Sequence, residues 1–435
     1  MAFTGYRLPQ LCLPRTGIDL ARWAVIACDQ YTSEPEYWRR AEQAVGDAPS
    51  TLQLIFPEVH LESPDAPARI ARIQVAMREQ LARGLLVDHA GAVYVERRVD
   101  GRTRRGLMLE LDLEHYDFGN TSTSLVRPTE GTIVARLAPR IAVRREAALE
   151  LPHILVLIDD PDGTVIEPIA AARDALTPLY DTPLMLGGGH VAGFSVDADR
   201  GEHALQALAA LASPAVFEAR YGVPVGTPPL LFAVGDGNHS LATAKAIWEE
   251  SKARVGMDHP SRWALVEVEN IHDPALHFAP IHRVLFGLQV ELRAALRQAF
   301  GDSLDCTDMP DTRAMRERVK AAQPRLQAMG LVEPGPRCAV IEIADAPQPL
   351  AVGTLQAFID RLLAEKGAAQ VDYVHGDDVL ERLGAMAGNA GFHVPGLGKH
   401  ELLTRVVHEG PLPRKTFSMG EAHEKRYYVE ARRIR

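Results

Sequence analysis

The sequence predicts an α/β (or α+β) protein with mixed sheets. Two observations carry this: strand-period and helix-period apolar patterns alternate along most of the chain, and short Pro/Gly punctuation separates them with no long linker. Ile70, Ile73, Met77, Leu81 and Leu85 recur at helical spacing, which predicts an amphipathic helix from about Pro67 to Leu86. Strands are expected next at Val93–Val99 and Leu107–Leu113, joined by Asp100-Gly101 turn chemistry; Glu96 and Arg98 alternate with apolar residues in the first. Further strands are expected at Ile154–Ile158, Ala192–Val196, Leu230–Val234, Trp263–Val268, Cys338–Ile343 and Tyr427–Ala431. Between them helices are expected near His203–Leu211, Leu241–Lys252, Leu292–Phe300, Thr312–Leu326, Leu355–Leu363 and Glu401–Val407. Tyr221–Pro229 and Asp273–Pro280 read as loops. A division near residue 275 gives an N-terminal part, 1–275, and a C-terminal α/β part, 276–435.

The 435 residues are 46% hydrophobic and 24% charged, with a formal charge of −10, which excludes a disordered or disulfide-scaffold chain. An acidic balance leaves no electrostatic footprint for nucleic acid or an anionic membrane. No run approaches the roughly 18 apolar residues of a spanning helix. The Pro-broken N-terminus is a poor signal peptide, and Cys12, Cys28, Cys306 and Cys338 form no CxxC pair. A cytoplasmic protein with reduced thiols is expected. A small-molecule substrate fits better than a macromolecular partner, and the sequence leaves a homo-oligomer open.

The most informative stretch is Leu230–Glu249, where an apolar run ends in Gly-Asp-Gly-Asn-His-Ser and helix formers follow. That order sets Asp236, Asn238, His239 and Ser240 at a helix N-terminus, where unpaired N–H groups and the dipole favour an anion. Gly235 and Gly237 let backbone approach a phosphate closely. Capping by Asn238 or Ser240 would explain part of this loop, but not four polar residues in five positions. The Lys of a P-loop is absent, and so are HExxH and GxSxG, so neither zinc nor a serine nucleophile elbow is indicated.

Four other segments carry candidates. Gly188, Gly189 and His190 close LGGGH, where consecutive glycines need a reason such as ligand approach. Arg127, Glu130 and Arg136 lie in RPTEGTIVAR, which can offer cations to phosphate and a carboxylate to Mg²⁺. Asp29 ends the apolar run WAVIAC, and Ser33 with Glu36 reads as a capping box behind it. His282 and Arg283 stand between apolar residues in APIHRVLF. Lys425 and Arg426, like Arg414 and Lys415, read as a solvated face.

GDGNHSLATAK, ACDQYTSEPEYW, RPTEGTIVAR, LPHILVLIDDP, PIHRVLF and LPRKTFSMGEAHEKRYYVEARR together resemble the bacterial and archaeal family known as domain of unknown function 1015. The usual loop of that family reads Asp-Gly-His-His-Arg. Asp236, Gly237 and His239 match it, while Asn238 stands for the first His and Ser240 for the Arg, the form of an Asn-His-Ser subgroup. The loop is similar to one in the ParB/sulfiredoxin-like superfamily. The resemblance implies a nucleotide-binding core of that type with large insertions, ATP or ADP with Mg²⁺, and phosphate transfer to a small hydroxyl metabolite, free serine or phosphoserine first.

On that reading Gly235–Ser240 holds phosphate, Asp236 or Glu130 holds Mg²⁺, and Asp29 or His239 accepts the hydroxyl proton. A hydroxyl cannot grip phosphate as a guanidinium does, so Ser240 requires another cation: Arg127, Arg136, Lys245 or Arg283. A nucleotide-binding regulator without turnover, or a hydrolase of phosphate esters or nucleotides, is the alternative.

Overall fold

The computed structural model describes residues 5–132, 137–322, 326–335 and 337–435. Two compact units emerge: Met1–His277 with Leu403–Pro411 and Ala422–Arg435, and Phe278–Leu402 with Leu412–Glu421. The boundary read from the sequence has the chain leave the first unit once. In the structure the C-terminus also returns to it, because Tyr427–Tyr428 pairs with Val25–Ile26 and Arg432–Arg433 with Leu149–Glu150.

In the first unit nine described strands form one mixed sheet. Its order is Thr177–Leu184, Gly189–Ser195, Val93–Val99, Arg102–Asp112, Trp263–Asn270, Leu155–Ile158, Phe232–Asp236 and Val126–Pro128, with Tyr6–Arg7 added beside Arg102–Asp112. Two pairings are parallel: Phe232–Asp236 with Val126–Pro128, and Trp263–Asn270 with Leu155–Ile158. Strand alternation sends Leu107, Leu109, Val266 and Val268 to one face, against helices Ala198–Leu211 and Asn238–Val255. Val93, Val95, Met108 and Leu265 point to the other, against Val25, Ile26, Trp38, Tyr427 and Tyr428.

That second face also buries charge. Arg426 donates to Glu267 at 2.7 Å and to Glu430 at 2.8 Å, and Arg104 sits 2.6 Å from Glu269. Burial pushes the Glu269 carboxyl up to about 8, the neighbouring Glu267 and Asp273 adding to it and Arg104 opposing. Lys425 and Arg426 are only 7% and 4% exposed. The solvated-face reading of this cluster is therefore corrected: the tail is an inner strand-like segment, and its cations are ion-paired beneath the sheet.

The second unit has its own antiparallel sheet, ordered Leu304–Met309, Arg337–Ala344, Leu326–Glu333, Ala390–His393, His282–Phe286 and Gln370–Val374. Helices Leu292–Phe300 and Ala351–Ala364 share one core with it through Leu296, Phe358 and Ile359. Helix Thr312–Lys320 packs Met315 and Val319 into a second cluster with Ala328, Val332 and Val340. The mixed α/β class holds throughout.

Most elements fall where periodicity puts them. The helix expected over Thr312–Leu326 ends at Lys320, and Leu326 instead opens a strand, since a short apolar run fits either period. The Ser33–Glu36 capping box does not form: Pro35 starts its helix, and Glu34 becomes the N-cap. No helix of the described residues is long and apolar enough to cross a membrane.

Candidate functional site

Strand Phe232–Asp236 lies between Val126–Pro128 and Leu155–Ile158, and its register slips between Val234 and Asp236. This places Asp236 at the strand end, two residues past the Val234–Pro128 pair, and Glu130 follows Pro128 by two residues on the neighbouring segment. Gly237 then turns the chain at φ 78° into helix Asn238–Val255, for which it is the N-cap. A Cβ there would lie 2.9 Å from Ile154 Cα, so glycine is required for both the turn and the close approach. Gly237→Ala should cost about 1–3 kcal/mol, read as a lowered chemical-denaturation midpoint; an unchanged midpoint would contradict this turn.

No side chain caps the helix start, which corrects the view of Asn238 or Ser240 as an N-cap. Asn238 donates to Val234 O at 3.3 Å, and its buried Oδ1 has no hydrogen-bond partner among the described residues. Asp236 accepts the Gly237 N–H at 3.0 Å through Oδ1, and Oδ2 lies 3.3 Å from Lys425 Nζ. Lys425 is held in place by its neighbours: Ala27 N–H bonds the Arg426 carbonyl at 2.8 Å, and Tyr427–Tyr428 pairs with Val25–Ile26.

The same pairing delivers Asp29. Its Oδ2 lies 3.7 Å from His153 Nε2, and its Oδ1 accepts from Gln30 at 3.0 Å. Burial pushes the Asp29 carboxyl up, but His153, the Gln30 bond, Lys425 and Arg140 outweigh it and hold the group below its ordinary value. Asp29 is thus an ionised carboxylate next to a buried ammonium.

His153 precedes strand Leu155–Ile158 and ties the cluster together. Its Nε2 is 2.7 Å from Ser240 Oγ and its Nδ1 2.8 Å from Tyr428 OH. Tyr428 oxygen also accepts the Cys28 N–H at 3.0 Å. The Asp29 carboxylate on that side favours a proton on Nε2, which Ser240 accepts, while Asp29 itself stands 3.7 Å off, beyond hydrogen-bond reach. A serine, a histidine and an aspartate do meet here, but Ser240 faces a donor rather than a base, and Asp29 lies on that same nitrogen. This is no acyl-transfer triad.

The remaining candidates have other surroundings. Arg127 donates to the carbonyls of Ser124 at 2.8 Å and Pro228 at 2.7 Å, and Lys245 reaches Leu113 O and Glu249. Arg136 lies outside the described residues. His239, half-buried, is the second residue of the helix, and its carbonyl accepts from Thr243. His190 pairs with Asp181 at 2.8 Å, on a strand five places along the sheet from Phe232–Asp236. Gly188 and Gly189 close that hairpin because a Cβ would strike Tyr427 and the Arg98 carbonyl, so packing accounts for them.

His282 and Arg283 belong to the second unit. Arg283, fully buried, donates to Arg414 O at 3.1 Å and to the Ile281 carbonyl. His282, Asp377 and His393 bring ligand-type atoms within 4.8 Å of one another. Yet His282 Nδ1 accepts the Val394 N–H at 3.1 Å, which leaves the proton on the Nε2 that faces Asp377 at 3.3 Å. A metal-binding imidazole needs the opposite tautomer, so this donor set does not fit a cation. Burial, with the charge of His393, moves the His282 pKa down to about 4.

Sequence reasoning missed His153, Lys425 and Tyr428. Lys-Arg-Tyr-Tyr-Val-Glu-Ala was the available signal, since cations threaded among aromatics make a poor solvated tail.

No curated protein matches the chain. Among solved structures, a free serine kinase in complex with AMP is similar at TM-score 0.38 and 11% identity, over 74% of this chain and 90% of that one. A conserved hypothetical protein from Pyrococcus furiosus gives 0.38 and 11%, over 73% and 92%. SbnI from Staphylococcus aureus, truncated at its C-terminus, gives 0.34 and 11%, over 71% and 83%. The family model described as protein of unknown function (DUF1015) matches residues 12–362, and the chain belongs to that family.

Proposed function

We propose that this chain is a nucleotide-dependent phosphotransferase, moving phosphate between ATP or ADP and the hydroxyl of a small metabolite, free serine or phosphoserine first. One observation carries the reading: a buried ammonium, Lys425, sits 3.3 Å from Asp236 at the start of an 18-residue helix that no side chain caps. Lys425 answers the need that Ser240 creates by standing where the family has Arg. Ammonium and helix dipole together favour a phosphate there.

Asp236 and Glu130 are the hard oxygen donors that would hold Mg²⁺, which would neutralise phosphate charge when bound. Asp29, ionised and backed by His153, accepts the proton of the acceptor hydroxyl as its oxygen bonds to phosphorus and the nucleotide leaves with the electron pair of the broken P–O bond. Ser240 and Tyr428 hold His153 in orientation.

Phosphorus NMR of the full chain with Mg²⁺ and ATP or ADP, with and without serine, tests this. A phosphomonoester signal that requires both substrates is expected, and Asp236→Ala should abolish it. Nucleotide hydrolysis indifferent to serine and every other alcohol would overturn the transferase in favour of a hydrolase.

A further inference from the structure

A cavity of about 130 Å³ opens beside this cluster. Its polar end is Cys28, His153, Ser240 and Tyr428, and Glu58 and Arg140 pair at 2.5 Å along its lining. Beyond them most of the wall is hydrocarbon, with Leu54, Phe56, Leu61, Met77, Val143 and Leu151, although Arg144, Glu150 and Thr243 also line it. Leu54, Phe56 and Met77 are 1–4% exposed, so this part of the wall belongs to the core.

Protein interiors are close-packed, and an unfilled void destabilises in proportion to its volume. In its hydrocarbon part water finds few of the two to four polar partners that it needs. Its size is close to the ~150 Å³ apolar cavity that takes benzene in an engineered protein. An adenine ring has more atoms than benzene and would bury ring nitrogens against hydrocarbon. The occupant that fits is smaller and apolar, with a polar group at the His153 end.

Building on the phosphotransferase reading, we propose that the acceptor alcohol carries a compact apolar arm, a branched alkyl chain or single phenyl ring, which this cavity takes while its hydroxyl faces Asp29 and His153. Serine would still present its hydroxyl to Asp29 but leave the cavity unfilled, so an alcohol with the apolar arm is expected to be the better acceptor. Specificity then resides in the wall, where a methylene more or less changes discrimination by roughly 10–200-fold.

The test titrates the full chain with benzyl alcohol and, as a polar control, glycerol, followed by saturation-transfer NMR. Benzyl alcohol should bind with a dissociation constant of millimolar order, and glycerol at least tenfold more weakly. Val143→Phe and Ala147→Leu, on different parts of the wall, each fill the cavity and should weaken benzyl alcohol tenfold or more with nucleotide binding unchanged; if one fails to fold, the other decides. Equal responses to the two alcohols, or benzyl alcohol binding that survives in a folded filled variant, overturns the proposal. Transfer to serine without benzyl alcohol binding also overturns it and leaves the phosphotransferase standing. Benzyl alcohol binding without phosphate transfer to any alcohol keeps the cavity as a ligand site and removes the phosphotransferase.

Discussion

Replacing Lys425 with methionine should lower phosphoryl transfer by about 10²–10³-fold, the cost of losing one preorganised charge partner. Methionine keeps the length and apolar stem of the side chain but removes the ammonium. Asp236 loses its 3.3 Å partner yet keeps the Gly237 N–H, and at 22% side-chain exposure it remains reachable by water. Stability should therefore change little, and the loss should appear in steady-state turnover and in weaker nucleotide binding. Lys425→Arg restores the charge with a wider, planar head and should recover part of the rate. Turnover by Lys425→Met equal to that of the parent chain would remove the observation on which the proposed function rests.

Arg426→Leu should destabilise the first unit strongly, by about 3–5 kcal/mol. The side chain is 4% exposed and donates to Glu267 at 2.7 Å, Glu430 at 2.8 Å and the Pro152 carbonyl at 3.1 Å. Its removal strands two carboxylates that are themselves almost fully buried. Leucine fills part of the volume, so the cost is mainly uncompensated charge rather than cavity. Thermal unfolding should show a drop on the order of 10 °C in Tm for a unit of this size. A double substitution, Arg426→Leu with Glu267→Leu, should recover part of the loss, because removing both partners of a buried pair is cheaper than removing one. A single variant that melts with the parent would mean the network is not buried as described. The two predictions are linked through adjacency, since the residue that anchors the tail also sets where Lys425 stands.

Local sequence alone was enough for the α/β class and most elements. Val93–Val99 and Leu292–Phe300 fall on the residues that periodicity assigns to them, and Asn238–Val255 extends the expected helix by three residues at each end. The strand–turn–helix at Asp236 was equally legible, because Gly235 and Gly237 between an apolar run and helix formers leave the chain little other choice. Where a segment could satisfy two periods, as around Leu326, pairing with Arg337–Ala344 and Ala390–His393 made the decision.

Assembly of the site was a tertiary matter. Asp29, His153, Asp236, Ser240, Lys425 and Tyr428 span almost 400 positions of sequence, and nothing in their spacing says that they meet. Strand pairing carries out the meeting: Val25–Ile26 against Tyr427–Tyr428 sets Asp29 and Lys425, and Leu155–Ile158 against Phe232–Asp236 sets His153 beside Ser240. Charge composition could not reveal that Lys425 and Arg426 are internal, because a cation looks alike on a surface and in a buried network until its carboxylate partners are in place. The sequence determined which local shapes and which chemical groups this protein has. The sheet, by pairing distant segments and burying their charges together, decided which of those groups share one site.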